Sequence, residues 1–180
     1  AGEIKACWII CTNPVATVPR RGTVLSALEK AELVIVQDAY ADTETGQYAD
    51  ILLPGALWAE GDGVQVNSDR TMTLARQAVR PPGEALPDWQ IIARVACAMG
   101  FEDGFSFASA AEVFSEASRF PNPVTGYDIS GVSHARLLSG PVQWPAAAGA
   151  ESTRHPIRYA PAPAAVPVFA TSAGIAVFYA

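Results

Sequence analysis

Apolar residues in this chain come mostly in short unbroken runs rather than alternating with polar ones. The runs at 33–36 and 51–53, and the segment 4–11 broken only by Lys5, lack a period of two, as strands covered on both faces do, so a parallel sheet with strands at 4–11, 33–38 and 49–53 is predicted. Val24, Leu25 and Leu28 recur at helical spacing within 21–31 and predict a crossover helix. The three segments 4–11, 21–31 and 33–38 therefore form a βαβ unit, for which a right-handed crossover is expected. A helical turn capped by Thr43 or Asp42 is predicted over 43–48. A glycine-rich turn at 58–63 precedes Val64-Gln65-Val66-Asn67, which alternates like a strand.

After a break at Pro81-Pro82-Gly83, Ile91, Ile92, Val95, Ala96 and Met99 line one face of a helix over 89–99. Asp88 is predicted as its N-cap and Gly100 as its stop. Ser109 and Glu112 have capping-box spacing at the head of another helix, 109–120. Residues 145–167 are rich in Ala and Pro and read as an extended connector, and the apolar run 175–179 reads as a truncated strand. The expected fold is α/β. A Rossmann-like parallel sheet with flanking helices spans 1–144, and an Ala/Pro-rich extended C-terminal segment spans 145–180. Both ends fall in or near apolar runs, so the chain reads as a piece of something longer.

Composition narrows the function classes. Half the residues are hydrophobic and 17% are charged, which indicates a folded chain. The net charge of −6 and the lack of a basic run argue against a nucleic-acid partner. No apolar stretch approaches the roughly 20 residues of a membrane helix, and the amino terminus lacks a signal-peptide pattern. The three cysteines do not form a disulfide framework, so a reducing, cytoplasmic setting is expected.

The candidate chemistry is sparse. Cys7 and Cys11 share a strand face and read as buried free thiols, and Cys97 sits on the apolar side of its helix. None has the spacing of a zinc or iron–sulfur site. His134 and His155 lack partners for a triad. Glu60-Gly61-Asp62-Gly63 lacks the glycine order of a phosphate-binding turn. Asn13, Gln37 and Asp38 are different, because they stand at the carboxyl ends of adjacent strands, where open α/β sheets bind ligands. Pro14 holds Asn13 extended. Amides and a carboxylate there suit a base edge or a ribose diol. The alternative is that they only end strands and satisfy turn backbones.

An ordered set of segments carries a resemblance. It comprises Cys11-Thr12-Asn13-Pro14, Gln37-Asp38-Ala39-Tyr40, Thr43-Glu44-Thr45, Ala49-Asp50-Ile51-Leu52-Leu53-Pro54, Trp58-Ala59-Glu60, Pro82-Gly83-Glu84-Ala85 and Asp88-Trp89. The set resembles the molybdopterin oxidoreductases of the dimethyl-sulfoxide-reductase type. Ala111-Glu112-Val113-Phe114, Asp128-Ile129-Ser130-Gly131 and Gly140-Pro141-Val142-Gln143-Trp144-Pro145 are most similar to the assimilatory nitrate reductase catalytic subunit.

The resemblance implies a bis(molybdopterin guanine dinucleotide) molybdenum cofactor, with the guanosine end of one dinucleotide contacted by Asn13, Gln37, Asp38 and Asp88. It also implies that the 4Fe-4S cysteines and the molybdenum-facing loop lie upstream, and another pterin-binding domain downstream. No residue here is then catalytic, and the isolated chain is expected to be inactive and free of stoichiometric metal. The implied partners are the remaining domains of the same subunit and an electron-donating subunit or ferredoxin. Two departures stand out: Gly61 replaces the family's usual lysine, and 67–72 holds one basic residue fewer. A formate dehydrogenase, or a free-standing α/β module binding a nucleotide or a protein, remains an alternative.

Overall fold

The unbroken apolar runs become a three-stranded parallel sheet of order β1-β2-β3, formed by β1 (Ala6–Ile10), β2 (Leu33–Asp38) and β3 (Ile51–Pro54). The computed structural model describes residues 3–156, 158, 169 and 171–178. The chain divides into two compact units, Ala1–Asp62 with Arg76–Phe107, and Gly63–Ala75 with Ala108–Ala180.

In the first unit the register sets Ile9 against Val36 and Val36 against Leu52. Alternate residues of β1 and β2 therefore face one side together. There Ile9, Val34 and Val36 pack with Val15 of α1 (Pro14–Thr17) and Leu28 of α2 (Arg21–Lys30) as a buried core. Each such side chain contributes about 1.5–3 kcal/mol on burial. Because the strands are parallel, their carboxyl ends lie on one side of the sheet, with Gln37 opposite Ile10 and Asp38 opposite Pro54.

Leu86 extends this side of the sheet. It forms a parallel bridge with Gly55, receives a hydrogen bond from the Ala56 N–H and donates its own to the Pro54 carbonyl. The chain then enters α3 (Asp88–Ala98), and the short α4 (Glu102–Phe105) follows. Gly100, at φ 91, ends α3 as expected, since a left-handed terminus suits glycine.

Two expectations are corrected here. Asp88 is not the N-cap of α3. Pro87 occupies that position in extended geometry, and Asp88 is the first helical residue with no capping bond. The Pro87 carbonyl already accepts from the Gln90 and Ile91 N–H groups, so the Asp88 carboxylate is left for other partners. Cys11 is not a buried strand thiol. β1 ends at Ile10, and Cys11 is exposed with φ 52, because the chain must reverse to start α1 at Pro14.

The second unit holds an antiparallel sheet, β4 (Gly63–Val66), β5 (Thr71–Ala75) and β6 (Val142–Gln143), in that order. Only β4 was legible in the pattern. Met72, Ile129, Val132, Leu137, Val142 and Ala146 form the core. Ser109 caps α5 (Ala110–Ala117) by accepting from the Glu112 N–H, while the Glu112 carboxylate accepts from the Ala108 N–H. The helix stops at Ala117, short of the expected Phe120. Ser133 caps α6 (His134–Leu138) in the same way.

Arg70, at φ 74, donates to the carbonyls of Trp144 and His155 and lies over the Trp144 ring. The described start of the Ala/Pro-rich segment is thus tethered. Its Thr153 carbonyl accepts from the Gln143 N–H, and the His155 N–H donates to Gln143 Oε1. The rest of 145–167, from 157 on except 158, lies outside the described residues. Residues 175–178 form no strand, and residue 179 is outside the description. Among the described residues no helix is long and apolar enough to cross a membrane.

Candidate functional site

β2 ends with two polar residues because its apolar run stops there, and parallel pairing brings the ends of β1 and β3 alongside. Gln37 is fully buried. Its Nε2 donates to Asp88 Oδ1 at 2.6 Å, across 51 positions of sequence. Its Oε1 is buried without a partner. An orphaned buried carbonyl costs about 1–3 kcal/mol, so this acceptor marks a place where a donor belongs.

Cys11 closes the corner from the β1 side. Its N–H donates to the Gln37 carbonyl at 2.9 Å, and its Sγ lies 3.4 and 3.5 Å from the two Asp88 carboxylate oxygens. Partial burial, the Asp88 charge, the hydrogen bond to Asp88 and the Asp38 charge push the Cys11 thiol up to about 11. It is therefore a neutral donor at physiological pH. Gly55 closes the corner from β3. A Cβ there would stand 3.3 Å from Asp88 Oδ1 and 3.5 Å from the Asp38 carbonyl carbon, so only glycine lets the carboxylate settle against this strand end without displacement.

Asp38 flanks the corner. Its Oδ1 accepts from the Tyr40 N–H at 3.0 Å, which folds the chain back after β2, and its carbonyl accepts from the Gly55 N–H. Asn13 is engaged elsewhere. Its Oδ1 accepts from the Thr45 hydroxyl at 2.6 Å and from the Thr45 N–H at 3.3 Å, and its Nδ2 donates to Glu44 at 2.6 Å. The fully buried Thr45 in turn accepts from the Val15 N–H at 3.2 Å. The Asn13 amide holds the Glu44 carboxyl below its ordinary range.

Of the four expected residues, Gln37 and Asp88 are thus bonded directly, Asp38 stands next to them, and Asn13 anchors the loop before β3. Cys11, Gly55 and Thr45 were missed as site residues. Their signal was present in the conjunction of Cys11 with Asn13-Pro14 and of Gly55 with the end of β3. Gly61 is absent from the positive-φ glycines. A Cβ there would meet Pro87 Cγ at 3.1 Å, so the constraint on that position is the proline ring beside Asp88, not backbone strain.

The corner is rich in acceptors, Gln37 Oε1 and the Asp88 carboxylate, and the Asp38 charge lies near enough to act on Cys11. Among the described residues no group of three or more His, Cys, Asp or Glu side chains could hold a metal ion. Such a set fits N–H and O–H donors, as on a base edge or a ribose, and does not attract phosphate.

The sequence profile of the family described as molybdopterin oxidoreductase matches residues 1–98, over half of the chain. The chain belongs to the molybdopterin oxidoreductase family. It is 45% identical over 144 residues to a nitrate reductase of Synechocystis, covering 79% of this chain and 20% of that protein. It is 38% identical over 143 residues to the F420-dependent formate dehydrogenase subunit alpha of Methanocaldococcus jannaschii, covering 79% and 20%. Among solved structures, acetylene hydratase from Pelobacter acetylenicus superposes with a TM-score of 0.60 at 27% identity, over 76% of this chain and 18% of that one. The chain spans about one fifth of the length of these curated relatives. The acceptor-rich corner lies within the stretch that matches the molybdopterin oxidoreductase profile, and a molybdopterin-type cofactor follows from the family.

Proposed function

We propose that the first unit cradles the guanosine end of one molybdopterin guanine dinucleotide in the catalytic subunit of a molybdenum nitrate reductase that converts nitrate to nitrite. The observation that carries this reading is the orphaned Gln37 Oε1 beside an Asp88 carboxylate that Gln37 itself orients. A carboxylate and an amide carbonyl side by side accept the adjacent N–H donors of a guanine edge, and a base lacking them would leave buried acceptors unpaired. Asp38 supplies an acceptor for a ribose hydroxyl. Asn13 has one amide N–H left to offer, because its other polar atoms are spent on Thr45 and Glu44.

When bound, the molybdenum cofactor supplies the oxidoreductase chemistry. The residues of this chain bind and orient its nucleotide, and none is assigned a proton or electron to move. In this reading the 4Fe-4S cluster and the remaining domains of the same subunit are supplied outside the chain, electrons arrive from a partner subunit or ferredoxin, and the protein works in the cytoplasm. The nitrate reading is supported by nitrate reductases of Synechocystis and Klebsiella oxytoca at 45% and 42%, while those of Shewanella frigidimarina and Bacillus subtilis, at 36% and 37%, fall below two formate dehydrogenase subunits at 38% and 40%.

The test is chemical. Mild acid hydrolysis of the purified holoenzyme should release GMP in proportion to its molybdenum, and reduced viologen should drive nitrate but not formate turnover. Release of CMP or of no nucleotide would remove the guanosine reading. Formate oxidation without nitrate reduction would move the substrate assignment and leave the cradle in place.

A further inference from the structure

Cys11 is a residue that neither the strand pattern nor the nucleotide reading requires, yet it stands in a costly backbone state. A non-glycine residue at φ 52 occupies the left-handed region, where a Cβ is disfavoured. A glycine would relieve that strain. What glycine lacks is the thiol, which spans both oxygens of the Asp88 carboxylate at 3.4 and 3.5 Å. A second observation ties the thiol to a ligand site. The same Asp88 Oδ1 receives Gln37 Nε2, and the fully buried Gln37 amide carries the unpartnered Oε1.

We propose that Cys11 is a positioning residue, its thiol fixing the Asp88 carboxylate so that it presents acceptors to the nucleotide base. This rests on the guanosine reading given above. Asp88 sits on the first turn of α3, which the chain enters from the Leu86–Gly55 bridge, and Gln37 grips one of its oxygens. A single hydrogen bond leaves the carboxylate free to rotate about it. The contact from Cys11, just past the end of β1, removes that rotation, and its N–H to the Gln37 carbonyl keeps the sulfur in place. The high thiol pKa of about 11 keeps the donor proton on sulfur across the physiological range.

The experiment compares Cys11→Ser, Cys11→Ala and Cys11→Gly in the purified protein freed of cofactor, titrated with GMP, with thermal unfolding recorded for each. Serine keeps a donor and the same backbone strain, alanine keeps the strain alone, and glycine removes both. Serine should bind GMP within about twofold of the unaltered protein, and alanine and glycine should bind roughly threefold to tenfold more weakly. Glycine should do so while unfolding at an equal or higher temperature. If Cys11→Gly binds GMP as tightly as the unaltered protein, the positioning role is overturned and the guanosine reading stands. If the unaltered protein itself fails to bind GMP, the guanosine reading falls, and the role for Cys11 falls with it.

A second readout needs no nucleotide. Alkylation of Cys11 at pH 8, followed by peptide mass, should be roughly tenfold slower than for a thiol of pKa 9.0, because the smaller thiolate fraction outweighs the greater nucleophilicity of the more basic thiolate, and Asp88→Asn should speed it. An ordinary rate in the unaltered protein would show that the thiol does not engage Asp88, which also overturns the proposal.

Discussion

Two polar clusters stand in the first unit, and they are built on opposite principles. Around Thr45 the polar groups are paired. The hydroxyl donates to Asn13 and accepts from the Val15 N–H, its own N–H reaches Asn13, and the Asn13 amide reaches Glu44. Around Gln37 the pairing stops one bond short, with Oε1 left buried and alone. A closed network contributes to architecture, because each bond replaces a water bond lost on burial. An open one keeps a desolvated acceptor ready, which weakens the free protein and strengthens whatever donor completes it. The closed Thr45 cluster holds the loop before β3, and the open Gln37 cluster is the one that the proposed function gives to a ligand.

The largest effect is expected from breaking the closed cluster. Thr45→Val keeps the shape and removes the hydroxyl, leaving the Val15 N–H without a partner and Asn13 with one donor fewer. The loss should be about 2–4 kcal/mol of unfolding free energy, read from urea denaturation. Any fall in nucleotide affinity should come through that lost stability and through the loosened Asn13 amide. A change below 0.5 kcal/mol would mean the cluster is not closed as described.

The open cluster should respond in the other way. Asp88→Ala removes the carboxylate that Gln37 orients, and retention of guanine nucleotide should fall about tenfold to a hundredfold, with molybdenum content falling alongside. Cys97→Ala, on a half-buried thiol of α3 away from the strand ends, should leave both unchanged. Normal nucleotide and molybdenum content in Asp88→Ala would reject the assignment of the acceptor corner, whatever its effect on stability.

The contrast also explains what the sequence could carry. β2 is legible to its last residue, since four apolar residues followed by Gln37-Asp38 mark both the strand and its polar end. α2 is legible because Val24, Leu25 and Leu28 share one face. Asp88 was readable as a helix-start residue and not as the partner of Gln37, because 51 positions separate them and helix-start preference is silent about tertiary partners. That Pro87 takes the cap is visible only once its carbonyl is seen accepting the first helical bonds. Cys11 misled for a different reason. Its apolar neighbours predict a strand, and only the reversal into α1 forces the positive φ. β5 was lost because Thr71-Met72-Thr73-Leu74-Ala75 follows a charged turn and has a single apolar face. Its evidence is Met72, fully buried and paired with Val142 of β6.

The smallest expected effect sharpens the comparison at the edge of the open cluster. Gly61 stands against Pro87, the residue before Asp88, and the family resemblance puts a lysine there. A cation beside an acceptor-rich corner offsets the repulsion among Asp38, Asp88 and an incoming anionic nucleotide, and an exposed charge of this kind is worth about 0.2–1 kcal/mol. Gly61→Lys and Gly61→Ala both place a Cβ 3.1 Å from Pro87 Cγ, and the proline ring must shift by a few tenths of an ångström in either. The difference between the two variants therefore isolates the charge. At low ionic strength the lysine protein should bind GMP about twofold to fivefold more tightly than the alanine protein, and the gap should close as salt is raised. Equal binding would show that the missing lysine is no electrostatic deficit. Weaker binding by the lysine protein would show its ammonium pairing with Asp88 and filling the acceptor that the open cluster holds for the base.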